Sequence, residues 1–436
     1  MLEFVVLLTF TLLLIGGIVA NIALLPILSV GLVLFSGYAL YKTRSVKSLI
    51  DMFEQGISGT KNILVLLFII GMITAMWRAS GTIASIVSYA SLVVIPEFFV
   101  LIEFLFCAAM GMILGSALGT AATMGVICAS IAQALGINPA ISGGAILAGA
   151  FFGDRSSPVS SSAALVATLT NTNIFNNMKR GLKLGIVPFF VTCFVYAMVG
   201  FLSQAGSDVP EMLSLFSTEF SLSLITLLPA VLVIILSLFR VDVKKTMLIS
   251  LVAAVGVYLF IQQGSVASLP SILLFGFASS NNEVASIING GGILSMLNII
   301  AVIMLVSCYA GIFEETGLLS NLQQYIEKIV HHTTPFTGVL LTSIFTSAVA
   351  CNQTFAIMLT SQLCKNAQKE SKALALQMQS SVVVLASLVP WSISSIAALS
   401  FIGAPTQSLL CAVFLYLLPL WTLVLSLIGE IGRAHV

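Results

Sequence analysis

The sequence predicts an all-α polytopic membrane protein: two inverted five-helix repeats, each with a re-entrant hairpin and a broken helix. Three observations lead there. First, the 436 residues are 59% hydrophobic and only 8% charged, with a mean hydropathy of +1.13. A soluble domain carries roughly 25% charged residues, so this chain lacks the side chains to cover a water-facing surface. Its long continuous apolar runs exclude the alternating pattern of an outer-membrane barrel. Second, Gly153-Asp154-Arg155-Ser156-Ser157-Pro158-Val159-Ser160-Ser161-Ser162 interrupts an apolar stretch, 140–172, that is long enough to cross a bilayer. Pro158 lacks an N–H and disfavours helix at Ser157, so the helix breaks here. A break at membrane depth is tolerated where it is buried in protein or lines a wet cavity, and transporters place substrates and coupling ions at such breaks. Third, displacing the first half by 236 residues aligns its features with those of the second without gaps.

In chain order, helices are expected near 4–20 and 23–41, followed by the basic turn Lys42, Arg44, Lys47 and an amphipathic stretch to Gly59. A helix over 62–77 precedes a short interfacial piece, 83–95. The run 98–135, interrupted at Gly115-Ser116-Ala117-Leu118-Gly119-Thr120, reads as a re-entrant hairpin with that motif at its tip. The broken helix 140–172, the basic group Lys179, Arg180, Lys183 and a helix over 184–202 complete the first repeat, 1–203. The linker 204–220 carries Asp208, Glu211 and Glu219 without a base and is expected outside. The second repeat, 221–429, offers helices near 221–238, 246–263, 293–313 and 407–428. It also offers an amphipathic piece at 318–332, a hairpin over 336–363 with its tip at Cys351-Asn352-Gln353-Thr354, and a run over 374–403 broken at Pro390-Trp391-Ser392-Ile393-Ser394-Ser395. At the displacement of 236, Gly56 meets Gly292, Asn62 meets Asn298, Gly81 meets Gly317, Gly115 meets Cys351 and Asp154 meets Pro390. Five crossings per half make the second half inverted. Basic short loops mark the cytoplasm, which sets both termini inside the cell inner membrane.

Leu2 to Ala20 has no basic leader and is too long for a signal-peptide core, so it reads as a retained helix. The last residues, 430–436, look like translated sequencing-adaptor sequence and are set aside. Seven cysteines without pattern read as packing residues. A net charge of +1 gives no footprint for nucleic acid. The expected partners are the bilayer, Na+ and H+ or a small organic solute, and a homodimer is compatible with this reading. No metal-ligand cluster, phosphate loop or nucleophile triad stands in the sequence, so neither an enzyme nor a cofactor is expected.

Asp154-Arg155 carries the strongest site signal, because a charge at membrane depth costs a few kcal/mol and is kept for function or for an ion pair. The bland alternative pairs Asp154 with Arg155 or with Glu103. The two tips supply Ser116 and Thr120, and Asn352, Gln353 and Thr354; the two breaks supply Ser157 and Ser160, and Ser392 and Ser394. Their hard oxygens suit Na+, with a metal position expected at Asp154, Ser116 and Asn352. Arg155, Glu103, Glu314 and Glu315 are candidate proton or charge partners, although Glu314-Glu315 also reads as a solvated helix end. His331-His332 reads as a solvated interfacial pair.

The run from Gly144 to Ser160, together with Gly115-Ser116, Gly119-Thr120, Gly311-Ile312-Phe313-Glu314-Glu315-Thr316-Gly317, Asn352-Gln353 and Leu388-Val389-Pro390-Trp391, resembles the signature of the NhaC-type sodium/proton antiporter family. The resemblance covers most of the chain and implies the architecture of inverted repeats, with Na+/H+ antiport by alternating access as the activity. Members are described as Na+/H+ antiporters, malate–lactate exchangers or amino-acid carriers, so a Na+- or H+-coupled carrier of an amino acid or carboxylate is the alternative. The chain departs from the pattern at Ser161, Ser162 and Ala163, where the family usually has Asp-Thr-Thr. It departs again at Gln377-Met378-Gln379, where an acidic pair often stands, and at Leu118 in place of a common tryptophan. These departures leave Asp154 as the one acid at a break. Any Na+ ligands should then be mainly neutral oxygens with at most one carboxylate.

Overall fold

The computed structural model describes all residues except 1–4, 7–8, 11, 14–15, 18–23, 91–94, 203–215, 280, 282–283, 286–287, 317–333, 365–369 and 429–436. About half of the expected first helix, most of the linker, the piece 318–332 with its histidine pair and the C-terminal tail therefore lie outside the described residues; residues 5–6, 9–10, 12–13 and 16–17 of that first helix are helical. The first half contains α1 (Leu24–Thr43), α2 (Val46–Ser58), α3 (Lys61–Ala79), α4 (Thr82–Ala90), α5 (Pro96–Leu114), α6 (Ala117–Ala134), α7 (Pro139–Arg155), α8 (Ser161–Leu169) and α9 (Ile174–Leu202). The second contains α10 (Leu224–Leu238), α11 (Val243–Phe260), α12 (Val266–Phe275), α13 (Leu297–Thr316), α14 (Pro335–Ala350), α15 (Gln353–Cys364), α16 (Ser371–Gln379), α17 (Val382–Leu385), α18 (Ile393–Phe401) and α19 (Val413–Leu427). A single bridge, Phe277 to Gly290, is the one strand-like feature among the described residues.

Local chemistry fixes the helix ends. Prolines open α5, α7 and α14, where a missing N–H costs nothing. Side-chain caps start α7 from Asn138, α8 from Ser160, α11 from Asp242 and α14 from Thr334. The two hairpin tips turn in the same way, with Gly115 at φ 62° and Cys351 at φ 55° both in the left-handed region. These positions are 236 residues apart. α5 and α7 pack backbone to backbone, and a Cβ on Gly153 would stand 2.5 Å from the Gly111 Cα. Small residues allow this approach in lipid, where packing rather than hydrophobicity joins helices.

Among the described residues, seven helices are long and apolar enough to cross a membrane, and four shorter apolar helices accompany them. The protein is thus a multi-pass, all-helical membrane protein. The structure differs from expectation in four places. The first hairpin has longer arms than a re-entrant loop needs: α5 and α6 have 19 and 18 residues, each of crossing length. At a rise of about 1.5 Å per residue such an arm reaches about 28 Å. The arms of the second hairpin are shorter, 16 and 12 residues. The helix α12 is not expected from the sequence, because Pro270 and the flanking serines mask its short apolar run. The second break is also wider than the Pro390 motif suggests, with one interruption at Ser380-Ser381 and another over 386–392. Finally, α9 begins at Ile174, ten residues before the expected start.

Candidate ion site between two hairpin tips and a broken helix

Asp154 lies in the last turn of α7 and is 4% exposed. Both carboxylate oxygens are engaged: the Ser160 hydroxyl donates to Oδ1 at 2.8 Å and the Ser162 hydroxyl to Oδ2 at 2.8 Å. The two hydroxyl oxygens are 2.9 Å apart. This dyad exists because Pro158 ends the helix and Ser160 caps the next one, its oxygen also accepting the Ala163 N–H at 3.2 Å. The alternative ion pair is absent: Arg155 donates instead to the Gln379 and Gly181 carbonyls, so Asp154 and Arg155 face different ways. Glu103 does not reach the site either. It accepts from Ser142 at 2.8 Å, twelve residues earlier on α7, which is about 18 Å along a helix axis.

A cavity of about 190 Å³ opens on Asp154. Ser116 lines it from the first tip, Asn352, Gln353 and Thr354 from the second, and Ser394 from the second break. Gly59 and Ile63 close it from the start of α3. The three residues expected to hold a metal, Asp154, Ser116 and Asn352, thus share one cavity.

Other expected ligands serve the scaffold. Thr120 donates to the Ser116 carbonyl at 2.9 Å. Ser157 donates to the Met112 carbonyl at 2.7 Å, tying the first break to α5. In the second half Trp391 makes the matching tie, its indole N–H donating to the Ala348 carbonyl at 2.7 Å. Ser392 is fully buried with its hydroxyl unpartnered, outside the cavity lining. The Gln353 amide donates to the Val383 carbonyl at 2.7 Å, leaving its oxygen for the cavity. Glu315 is exposed near the end of α13 and does not line the cavity, and the side chain of Glu314 lies outside the described part. Sequence reasoning missed Ser162 as a partner of Asp154 and Gln379 as a partner of Arg155. Only the cap spacing after Pro158 could have signalled the first. Among the described residues no group of three His, Cys, Asp or Glu side chains gathers as a metal cluster.

The model of the Na+/H+ antiporter family matches residues 1–168 and 149–429. The chain belongs to this family. Among its relatives, a Na+/H+ antiporter NhaC from Alkalihalophilus pseudofirmus is 28% identical over 85% of this chain and 82% of its own length. The malate-2H+/Na+-lactate antiporter of Bacillus subtilis is 26% identical over 84% of this chain and 81% of its own. An arginine/ornithine antiporter ArcD from Halobacterium salinarum is 24% identical over 84% of this chain and 78% of its own.

Proposed function

We propose that this protein is a secondary transporter of the cell inner membrane that exchanges Na+ for H+ by alternating access, with Asp154 as the shared binding group. The carrying observation is a single buried carboxylate that opens, through one cavity, onto both hairpin tips and the second break. A carboxylate with two serine donors suits both occupants. Ionised, it accepts from both hydroxyls and turns their lone pairs toward a cation; protonated, it donates to one of them. Na+ and H+ therefore compete, and their antiport follows from that competition. Ser116, Asn352, Gln353, Thr354 and Ser394 supply neutral oxygens around Na+. The transported ions serve as the coupling ions, with no cofactor.

In proteoliposomes, Na+-dependent proton flux should depend steeply on pH, and Asp154→Asn should abolish that dependence and most exchange while the protein still inserts and folds. Unchanged pH-dependent exchange in Asp154→Asn would defeat the assignment. A second reading, a coupled carrier of a small organic acid or amino acid, is favoured by the solutes named for two relatives and by the surroundings of Arg155.

A further inference from the structure

α9 is longer than a bilayer crossing needs. Its 29 residues reach about 43 Å at a rise of about 1.5 Å each, and a hydrocarbon core is about 30 Å thick. The excess lies at the start of the helix, where Lys179, Arg180 and Lys183 stand; from Leu184 to Leu202 the helix carries no charge. About two turns of α9 therefore stand at the height of the lipid headgroups.

This end of α9 meets the start of α16 across a polar cavity of about 460 Å³. Arg180 lines it from α9 and Lys372 from α16, and Glu370 is the one acid of the lining. Among the described residues, neither Arg180 nor Lys372 makes an ion pair or a side-chain hydrogen bond. Asn176, Asn177 and Thr172 add amides and a hydroxyl. Asn177 is buried and donates to the Thr172 hydroxyl at 2.7 Å, which fixes that wall. The face of α9 that carries Arg180 continues as an apolar strip. Asn176, Arg180, Val187, Phe194 and Met198 follow at spacings of four, seven, seven and four residues, whole turns that set them near one line along the helix. Val187, Phe194 and Met198 are exposed, as are Phe190 and Val191 beside them. A cationic cavity at headgroup height thus stands at the end of an exposed apolar strip at the height of the lipid tails.

We propose that this cavity holds the headgroup of an anionic phospholipid, with the phosphate between Arg180 and Lys372 and the acyl chains along Val187, Phe190 and Phe194. A guanidinium meets two phosphate oxygens as a fork, and an ammonium adds a point charge. Asn176, Asn177 and Thr172 suit the hydroxyls of a glycerol headgroup. Two cations against one acid complement the single negative charge of phosphatidylglycerol and give a zwitterionic lipid no net attraction. A free phosphate ion would meet the same donors but leave the apolar strip unused. Arg180 belongs to the first half of the chain and Lys372 to the second, so the lipid joins the two and stabilises the folded protein by mass action. Binding here is independent of which ion is carried.

The test follows the unfolding temperature of the purified full-length protein in a neutral detergent. Phosphatidylglycerol should raise it in a saturable way, at concentrations where phosphatidylcholine and phosphatidylethanolamine do not. Arg180→Gln combined with Lys372→Gln should raise the half-saturating lipid concentration about tenfold or more, because two charge-assisted contacts are lost. Glu370→Gln removes the opposing charge and should lower that concentration about two- to fivefold. Lys179→Gln, an equal loss of charge on the same helix but outside the cavity, should leave it unchanged, which separates a site from general attraction to a basic surface. If the double variant fails to accumulate, Glu370→Gln and Lys179→Gln decide the matter. Equal stabilisation by the zwitterionic lipids, an equal loss in Lys179→Gln, or unchanged affinity in the cavity variants would each overturn the proposal. Saturation by inorganic phosphate or glycerol 3-phosphate at the same concentrations would make this a site for a soluble anion and overturn the lipid assignment.

Discussion

On the proposed reading the serine dyad makes Asp154 usable, because a hydroxyl can both give and take a hydrogen bond as the carboxyl changes state. Removing one of the two leaves a buried carboxylate oxygen without a partner, a loss of about 1–3 kcal/mol. Ser162→Ala should therefore lower the unfolding temperature and raise the Na+ concentration for half-maximal exchange several-fold; an unchanged Na+ dependence would remove Ser162 from the site. Glu103 offers the contrast. It is fully buried, but its Oε1 has no partner and its Oε2 meets only Ser142. Glu103→Gln should retain exchange and its pH profile, since an amide oxygen accepts from Ser142 equally well. Loss of the pH dependence in that variant would transfer the proton to Glu103. Asp154 was legible in the sequence because an acid inside an apolar run has few reasons to exist. Ser162 was not, since serines are common in this composition and only the cap geometry turns that one toward the acid. Gln379 was illegible for another reason: its backbone carbonyl makes the contact to Arg155, and a carbonyl leaves no trace in residue type.

At the scale of elements, the hairpin tips set the cavity. Gly115 sits in the left-handed region, and a Cβ there would stand 2.8 Å from the Ser160 amide nitrogen and 2.7 Å from the Val159 Cγ2. Gly115→Ala should cost roughly 1–2 kcal/mol from backbone conformation alone, with further loss from the push on the cap that orients Ser160. Exchange should fall more than stability does. Cys351 holds the matching conformation at the second tip with a side chain attached, and its carbonyl accepts the Ile393 N–H at 2.9 Å. Cys351→Gly should then be neutral or stabilising by up to about 1 kcal/mol, read as an unfolding temperature. The tips were legible because polar, small residues interrupt apolar runs. The arm lengths were not: hydropathy marks where a run ends but does not separate a helix that turns back from one that continues across.

For the whole molecule, the inverted repeat remains our proposal, and contacts support it. Gly56 lies against Ser307, with a Cβ there only 2.0 Å from its carbonyl oxygen, while Gly292 donates its N–H to the Gly71 carbonyl at 2.8 Å. Each residue of the first pair is displaced by 236 from its counterpart in the second, so the halves exchange equivalent contacts as a two-fold relation requires. α3 and α13 also start one displacement apart, at Lys61 and Leu297. If the basic turns lie in the cytoplasm, single cysteines at Thr43, Lys179 and Lys244 should be labelled by impermeant reagents only from inside, and one at Gln262 only from outside. Labelling of Lys179 from outside would reject the ten-crossing, inverted arrangement.

The interruption at Ser380-Ser381 has no partner in the first half. One repeat earlier stand Gly144-Ala145, within the unbroken α7. If the halves are two copies of one design, as we propose, they hold different shapes here: one helix straight, the other jointed. Were the copies to trade shapes, the joint would pass to Gly144 and the stretch around Ser380 would straighten, and the molecule would open to the opposite face. On that proposal, each half would be a template of what the other becomes. The second state of the transport cycle is then written in the first, and a disulfide that freezes either arm should trap one face of the protein.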